Sequence, residues 1–310
     1  MNVMFSAHLK IIFAMAIVGS FVVAGKLLVE NVPVFLASGL RFLIAALILV
    51  PLLLKIEGIP VFTKKDMKIL FLQAISGVFL FSIFMLYGLK YTTAIEGGII
   101  TSTLPAVVAI IAFIILKEKL TSFTITGILL AVGGTLVINI SGAFSDIERG
   151  AAPILGNLLI LGAVIGEALF IIFGKSISKT VSPLAVSTML SVFGTIFFLP
   201  FAIYEATSFA LMEISLKDWG LIFYSGIIVT VFAFVLMYQG IEKIPASTAG
   251  VLTSVMPMSA VLFSFLILKE SLSSFHAIGM LCVLAAVCLI SFDSKVEEKE
   301  ETLKEKKIIS

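Results

Sequence analysis

Two stretches of the chain place the same small polar signature inside apolar surroundings. The first is "GIITSTLPAVVAIIAFIILKEKL" from Gly98 and the second is "GVLTSVMPMSAVLFSFLILKESL" from Gly250. Gly98, Thr101, Ser102 and Pro105 follow an i, i+3, i+4, i+7 spacing, which puts them on one face of a helix. Gly250, Thr253, Ser254 and Pro257 do the same. Proline removes a backbone donor and frees the carbonyl about one turn earlier, here at Thr101 and Thr253. In lipid such a carbonyl is tolerated where it faces protein or a water-filled cavity. Each stripe therefore reads either as a hydroxyl-bearing surface able to bind a solute or as a small-residue packing face.

Three isolated charges extend this chemistry. Glu167 lies deep in an apolar run, too far from either end to reach water. A charged side chain at that depth costs roughly 2.5–3.5 kcal/mol on insertion scales. It is expected either to pair with Arg41 or Lys26, or to serve as a protonatable group that takes a coupling proton or a substrate ammonium. Arg41, about two turns inside its run, is suited to a carboxylate, or else ties helices together. Lys26 sits near a run's edge, where a long side chain can reach the interface. Tyr87 and Gln239 could hydrogen-bond a solute, although interfacial tyrosines occur without further function. Glu96 opens a helix, where the dipole favours a carboxylate. His8 and His276 stand far apart in sequence, and Cys282 and Cys288 are six residues apart in one run, so no metal site, nucleophile or cofactor site is expected.

The elements that carry these residues follow from composition. Of 310 residues, 60% are hydrophobic and 13% charged. A water-soluble domain averages about 45–50% and about 25%, so the chain requires lipid. The net charge of +2 and the lack of a basic, aromatic-interleaved patch argue against nucleic acid.

A spanning helix needs roughly 20 apolar residues, and ten such segments are predicted. They run over Leu9–Val29, Val34–Leu54, Met67–Leu89, Ala94–Leu116 and Phe123–Ile140, then Ile154–Phe173, Leu184–Tyr204, Trp219–Ile241, Ala246–Leu268 and Phe275–Phe292. The first reads as a retained helix rather than a signal peptide, because its apolar run is long and no small-x-small site ends it. Residues 293–310 form a charged tail. Lysines gather at Lys10, Lys55, Lys64, Lys65, Lys68, Lys117, Lys119, Lys175, Lys179, Lys243 and in the tail. The opposite side receives Lys26, Lys90, Arg149, Lys217 and Lys269, an asymmetry of about three to one that predicts both termini in the cytoplasm.

The two opening stretches align when 152 is added to each number. Lys65-Asp66 then falls on Lys217-Asp218, Gly88 on Gly240, Pro105 on Pro257, Lys117-Glu118 on Lys269-Glu270, and Gly127 on Gly279. Between Gly88 and Gly127 roughly fifteen of forty positions are identical. At a slightly shorter offset Gly25-Lys26 matches Gly174-Lys175 and Pro33 matches Pro183. Residues 9–140 and 154–292 thus read as two copies of a five-helix unit. Five is odd, so the second copy enters the membrane from the other side. The predicted fold is an all-α integral membrane protein of ten transmembrane helices in two inverted repeats, an arrangement that recurs in secondary transporters. Only a midplane position keeps its own depth under the inversion, and the proline pair falls near the centre of its segments. The Lys117-Glu118 and Lys269-Glu270 pairs end related helices on opposite faces, as gate latches or as interfacial helix stops.

The pattern resembles the drug/metabolite transporter superfamily, specifically its EamA-type members with ten helices in two repeats. The likeness is carried by "GSFVVAGKLL" from Gly19, "PVFLASGLRFLIAALIL" from Pro33, "LKYTTA" from Leu89, "GEALFIIFGKSISKTVSPL" from Gly166, "GILLAVGGTLVI" from Gly127 and both proline stripes. It extends over nearly all of Leu9 to Phe292. Ser191 stands in the second copy where the first has Arg41, so the halves are not chemically equivalent. The resemblance implies a carrier in the bacterial cytoplasmic membrane, usually an exporter of amino acids, metabolites or toxic compounds.

The expected activity is alternating-access transport of a small organic molecule, favouring export of an amino acid or related metabolite, with proton coupling as a refinement. A multidrug exporter is the alternative, and Arg41 and Glu167 favour the polar substrate. The sequence has no phosphate-binding loop, and no His, Asp, Glu or Cys cluster of the kind a membrane enzyme needs. The expected partners are substrate and the lipid bilayer, and a homodimer is compatible with the sequence.

Overall fold

A computed structural model describes residues 3–116, 121–141, 150–175, 177, 181–241, 255–271 and 273–289. Its regular elements are helical. In chain order they are α1 (Val3–Val29), α2 (Val34–Ile56), α3 (Lys64–Tyr91), α4 (Ala94–Thr101), α5 (Leu104–Leu116) and α6 (Ser122–Ser141). Then follow α7 (Pro153–Lys175), α8 (Pro183–Ala206), α9 (Leu216–Gly240), α10 (Val255–Leu268) and α11 (Ser274–Leu289). Six of these, α1, α2, α3, α7, α8 and α9, are long and apolar enough to cross a membrane. The α4–α5 pair, bent by 40° at a short break, makes a seventh if it counts as one span. Three further apolar helical stretches, Ser122–Gly134, Val255–Leu268 and Ser274–Leu289, are shorter. The chain is therefore a multi-pass membrane protein.

Local chemistry sets the helix ends. Thr63 and Asp66 form a capping box at the start of α3: Thr63 Oγ1 accepts from Asp66 N–H at 3.1 Å, and Asp66 Oδ2 accepts from the Thr63 N–H and hydroxyl. At the same offset of 152, Ser215 caps α9, accepting from Asp218 N–H at 3.1 Å and donating to its carboxylate at 2.6 Å. Gly58, at φ +76°, turns the chain out of α2 in a left-handed conformation. Within α3, residues Ile75–Leu80 widen to a π-helix, and within α9 so do Tyr224–Phe232. Adding 152 to the first range lands inside the second, so the related helices share an irregularity that the apolar pattern does not encode.

Packing joins the two sequence copies rather than separating them. Repeat-related α2 and α8 lie side by side and antiparallel. The end of α2 meets the start of α8, where Ser182, the N-cap of α8, hydrogen-bonds Glu57. The start of α2 meets the end of α8, where the Leu36 N–H donates to Glu205 Oε2 at 2.7 Å. Between them Phe42 and Phe198 stack with centroids 5.7 Å apart, in a core with Leu70, Val78 and Leu190.

The first helix of each copy crosses to the other. A Cβ placed on Gly88 of α3 would fall 2.9 Å from the Gly156 carbonyl oxygen of α7. One placed on Gly240 of α9 would fall 3.1 Å from the Ala7 carbonyl oxygen of α1. At both of these matched close approaches a Cβ would require a neighbour to shift. Away from the core, large apolar side chains such as Leu47 and Leu129 are exposed, as expected of surfaces that meet acyl chains rather than water.

Candidate functional site

Arg41 is the eighth residue of α2 and is 5% exposed. Its Nε donates to Thr230 Oγ1 on α9 at 2.7 Å. The guanidinium carbon lies 4.2 Å from the ring centroid of Phe21 on α1 and 4.9 Å from that of Phe42, geometry in which ring quadrupoles attract a cation. Nη1 is buried with no hydrogen-bond partner. Ser38 Oγ, one turn earlier on α2, and Ser225 Oγ on α9 are buried without partners as well. Ser20 Oγ lies 2.5 Å from Tyr224 Oη, and since the serine also donates to the Ile17 carbonyl, the tyrosine is the donor between them. Arg41 thus stands where α1, α2 and the π-helical part of α9 meet.

Glu167 is the fifteenth residue of α7. Its Oε2 is sealed from solvent and has no hydrogen-bond partner, and among the described residues no ion pair within 4.0 Å joins it to Arg41 or Lys26. The adjoining Gly166 lets α7 approach the π-helical part of α3, where an added Cβ would fall 2.6 Å from the Ser76 carbonyl oxygen. One turn on, the Phe170 carbonyl accepts from Gln73 Nε2 at 3.0 Å, and the same amide donates to Tyr238 Oη at 3.0 Å. Gln73 therefore pins α7 to α3 and α9 beside Glu167.

The remaining charges cluster at helix ends. Lys26 Nζ donates to the carbonyls of Leu89 and Thr92, each at 2.7 Å, and so caps the end of α3. Lys269 adopts the left-handed conformation at φ 54°, ending α10 and turning Glu270 toward α4. Glu270 Oε1 and Oε2 accept from the N–H groups of Ala94 and Ile95 at 2.9 and 2.8 Å. Both are orphan donors of a helix N-terminus.

Glu96, in the first turn of α4, is fully buried. It accepts from Thr92 Oγ1 at 3.1 Å and Asn157 Nδ2 at 2.5 Å, with His276 Nε2 3.8 Å away. Here the structure assembles Glu96, Glu270, Asn157 and His276 from four segments, a grouping the linear spacing had not indicated. Among the described residues no group of three His, Cys, Asp or Glu could hold a metal ion.

The first polar stripe turns toward its own backbone. Thr101, Ser102 and Thr103 donate to the carbonyls of Gly98, Ile99 and Ile100 at 2.9, 2.5 and 2.7 Å. The chain breaks between α4 and α5 over Ser102 and Thr103, and Pro105 takes the second position of α5, where a missing N–H costs little. Gly98 backs onto α10, with an added Cβ 3.2 Å from Ala260 Cβ. Pro257 is buried in α10. Thr253, Ser254, Lys117 and Glu118 lie outside the described residues. Tyr87 packs edge-on against Phe35 at 6.1 Å, whereas Gln239 Oε1 accepts from Lys10 Nζ at 2.8 Å, so the two serve separate places.

Sequence reasoning missed Thr230, Ser225, Tyr224, Gln73, Asn157 and Phe21. Except for Phe21, each is a polar side chain inside or near an apolar segment, and that placement was the available signal.

Residues 5–140 and 154–292 both match the EamA-like transporter family. An uncharacterized transporter of Bacillus subtilis, YetK, is 48% identical over 301 residues, covering 97% of this chain and 91% of that protein. An uncharacterized transporter of Archaeoglobus fulgidus is 28% identical, covering 83% and 88%. A solved crystal structure superposes with a TM-score of 0.64 at 17% identity, covering 92% of this chain and 98% of its own, and so shares the fold. The chain is a transporter-type membrane protein and belongs to the EamA-like transporter family.

Proposed function

We propose that the protein is a secondary carrier of the cytoplasmic membrane that exports an amino acid or related metabolite by alternating access. The observation that carries this reading is the pair of buried, unpartnered atoms at depth, Arg41 Nη1 and Glu167 Oε2. Leaving a charged group unsatisfied costs at least about 1–3 kcal/mol. A zwitterion supplies what both lack: its carboxylate meets Arg41, and its ammonium meets Glu167. Proton coupling would use Glu167 as the group that alternates between proton and ammonium.

In this reading ten segments span the membrane as two inverted repeats with both termini inside. The antiparallel pairing of α2 with α8 and the matched glycine seats of α3 and α9 support the inversion. The break before Pro105 supports an irregular first proline stripe, and Pro257 is its counterpart in the second copy. The grip of Glu270 on α4 would hold one end shut and release when that end opens, with Lys269 setting its direction. The multidrug alternative is less favoured, since phenylalanines that could line an apolar cavity, such as Phe35, Phe79, Phe198 and Phe201, pack against one another.

A thermal-shift panel on the purified protein tests the reading. It would compare free amino acids with their amides, their N-acetyl derivatives and lipophilic cations. A ligand at 100 times its Kd stabilises by about 2.7 kcal/mol. The expected result is stabilisation by one or more free amino acids and none after either charge is masked. Stabilisation by lipophilic cations alone would replace this reading with multidrug export.

A further inference from the structure

We infer that Thr230 is a positioning residue that aims Arg41 at a substrate carboxylate, and that the π-helical turn of α9 exists to place it. In an α-helix a threonine hydroxyl returns to the carbonyl three or four residues earlier. Here Thr230 Oγ1 donates at 2.9 Å to the carbonyl of Ser225, five residues earlier, the acceptor that a π-turn provides. With its proton spent there, the hydroxyl can only accept from Arg41, and it does so at Nε.

That single bond settles how the guanidinium is presented. Its central carbon lies near the rings of Phe21 and Phe42, which offer its N–H groups no lone-pair acceptor, so the N–H groups that Thr230 does not take are left for recognition. Nε is consumed by Thr230, and Nη1 stays buried and unpaired. A planar carboxylate is the ligand that such donors take best. Ser38 and Ser225 add two buried, unpartnered hydroxyls from the same two helices. Ser191 occupies the related position on α8, so the device belongs to one half only and gives the site a direction.

The ligand class rests on the carrier reading, whereas the role of Thr230 does not. The test therefore begins with the side chain itself. The sequence holds two arginines, Arg41 and Arg149. In protein labelled with [15N]arginine, the Arg149→Lys variant leaves Arg41 as the remaining Nε–H resonance. In the otherwise unmodified protein this proton is expected to exchange with water at least about tenfold more slowly than that of free arginine, as a buried charge-assisted bond requires. Thr230→Val should abolish the protection and Thr230→Ser should keep it.

Sodium benzoate, with benzamide as its neutral control, then probes these donors. Benzoate should shift the Arg41 signal and benzamide should not, and Thr230→Val should weaken the benzoate effect about tenfold. An unprotected Nε–H before any substitution, an unmoved resonance in Thr230→Val, or no response to benzoate would each overturn the assignment. Because the exchange measurement needs no variant of Thr230, a misfolded Val protein does not shelter it. A protected, Thr230-dependent and benzoate-sensitive Arg41 in a protein that no amino acid stabilises would keep this inference and discard amino-acid export.

Discussion

Near Thr92, several helix ends meet, and Lys26, Glu270 and Glu96 are satisfied there by backbone and neighbours, although the nearby His276 Nε2 is buried without a hydrogen bond. Lys26 takes two carbonyls, Glu270 takes two N–H groups, and Glu96 takes a hydroxyl and an amide. Deeper in the bundle, Arg41 and Glu167 each keep one buried atom with nothing to bond. The first region spends its charges on holding helices together. The second tolerates an electrostatic cost that packing alone would remove, since apolar residues of similar volume would be cheaper. On the proposed reading, depth and residual valence together, more than charge as such, mark Arg41 and Glu167 as candidate working groups and the charges near Thr92 as frame.

The sharpest way to break that contrast is to neutralise the deep charges. Arg41→Gln and Glu167→Gln are each expected to lower substrate transport by about 100-fold or more, as loss of a desolvated charge contact does, with a melting temperature at or above that of the unmodified protein. Comparable transport in proteoliposomes would place both residues in the frame. Next in size is Glu270→Ala, which strands two N–H groups at the start of α4. It should cost about 2 kcal/mol, lower the melting temperature by several degrees, and increase labelling of a cysteine placed at Thr93, leaving substrate affinity within about threefold.

Lys26→Met should be milder, about 1 kcal/mol, because an under-satisfied carbonyl is tolerated more readily than an orphaned N–H, again with affinity retained. A large loss of affinity in Lys26→Met would move it into the working group. The smallest effect is expected for Lys10→Ala, whose bond to Gln239 joins α1 to α9: a change of stability within about 0.5 kcal/mol and unaltered transport.

The comparison also separates what was legible in the sequence from what was not. The long apolar segments, the doubled motif and the family could be read because they depend on composition and order. The break near Pro105 was visible too, because proline acts on its own helix, although the hydroxyls of Thr101 and Ser102 turn to their own carbonyls. Pairings across the fold were not visible. Arg41 finds Thr230 189 residues away and Glu270 finds Ala94 176 residues away, and no local periodicity encodes such a meeting. The π-helical turns were hidden for a related reason: the apolar pattern tolerates one extra residue in a turn without changing the face that meets lipid. His276 and Glu96 looked unrelated because each is ordinary at a helix start, and their proximity arises only when α4, α7 and α11 pack together.

The central claim, that Arg41 and Glu167 together receive a zwitterion, is tested most directly by solute counterflow in proteoliposomes. The assay would use the amino acid that most stabilises the purified protein. The account predicts uptake of label against unlabelled internal amino acid, its loss in both Arg41→Gln and Glu167→Gln, and no competition from the amino-acid amide. Undiminished counterflow in either variant, or full competition by the amide, would contradict it.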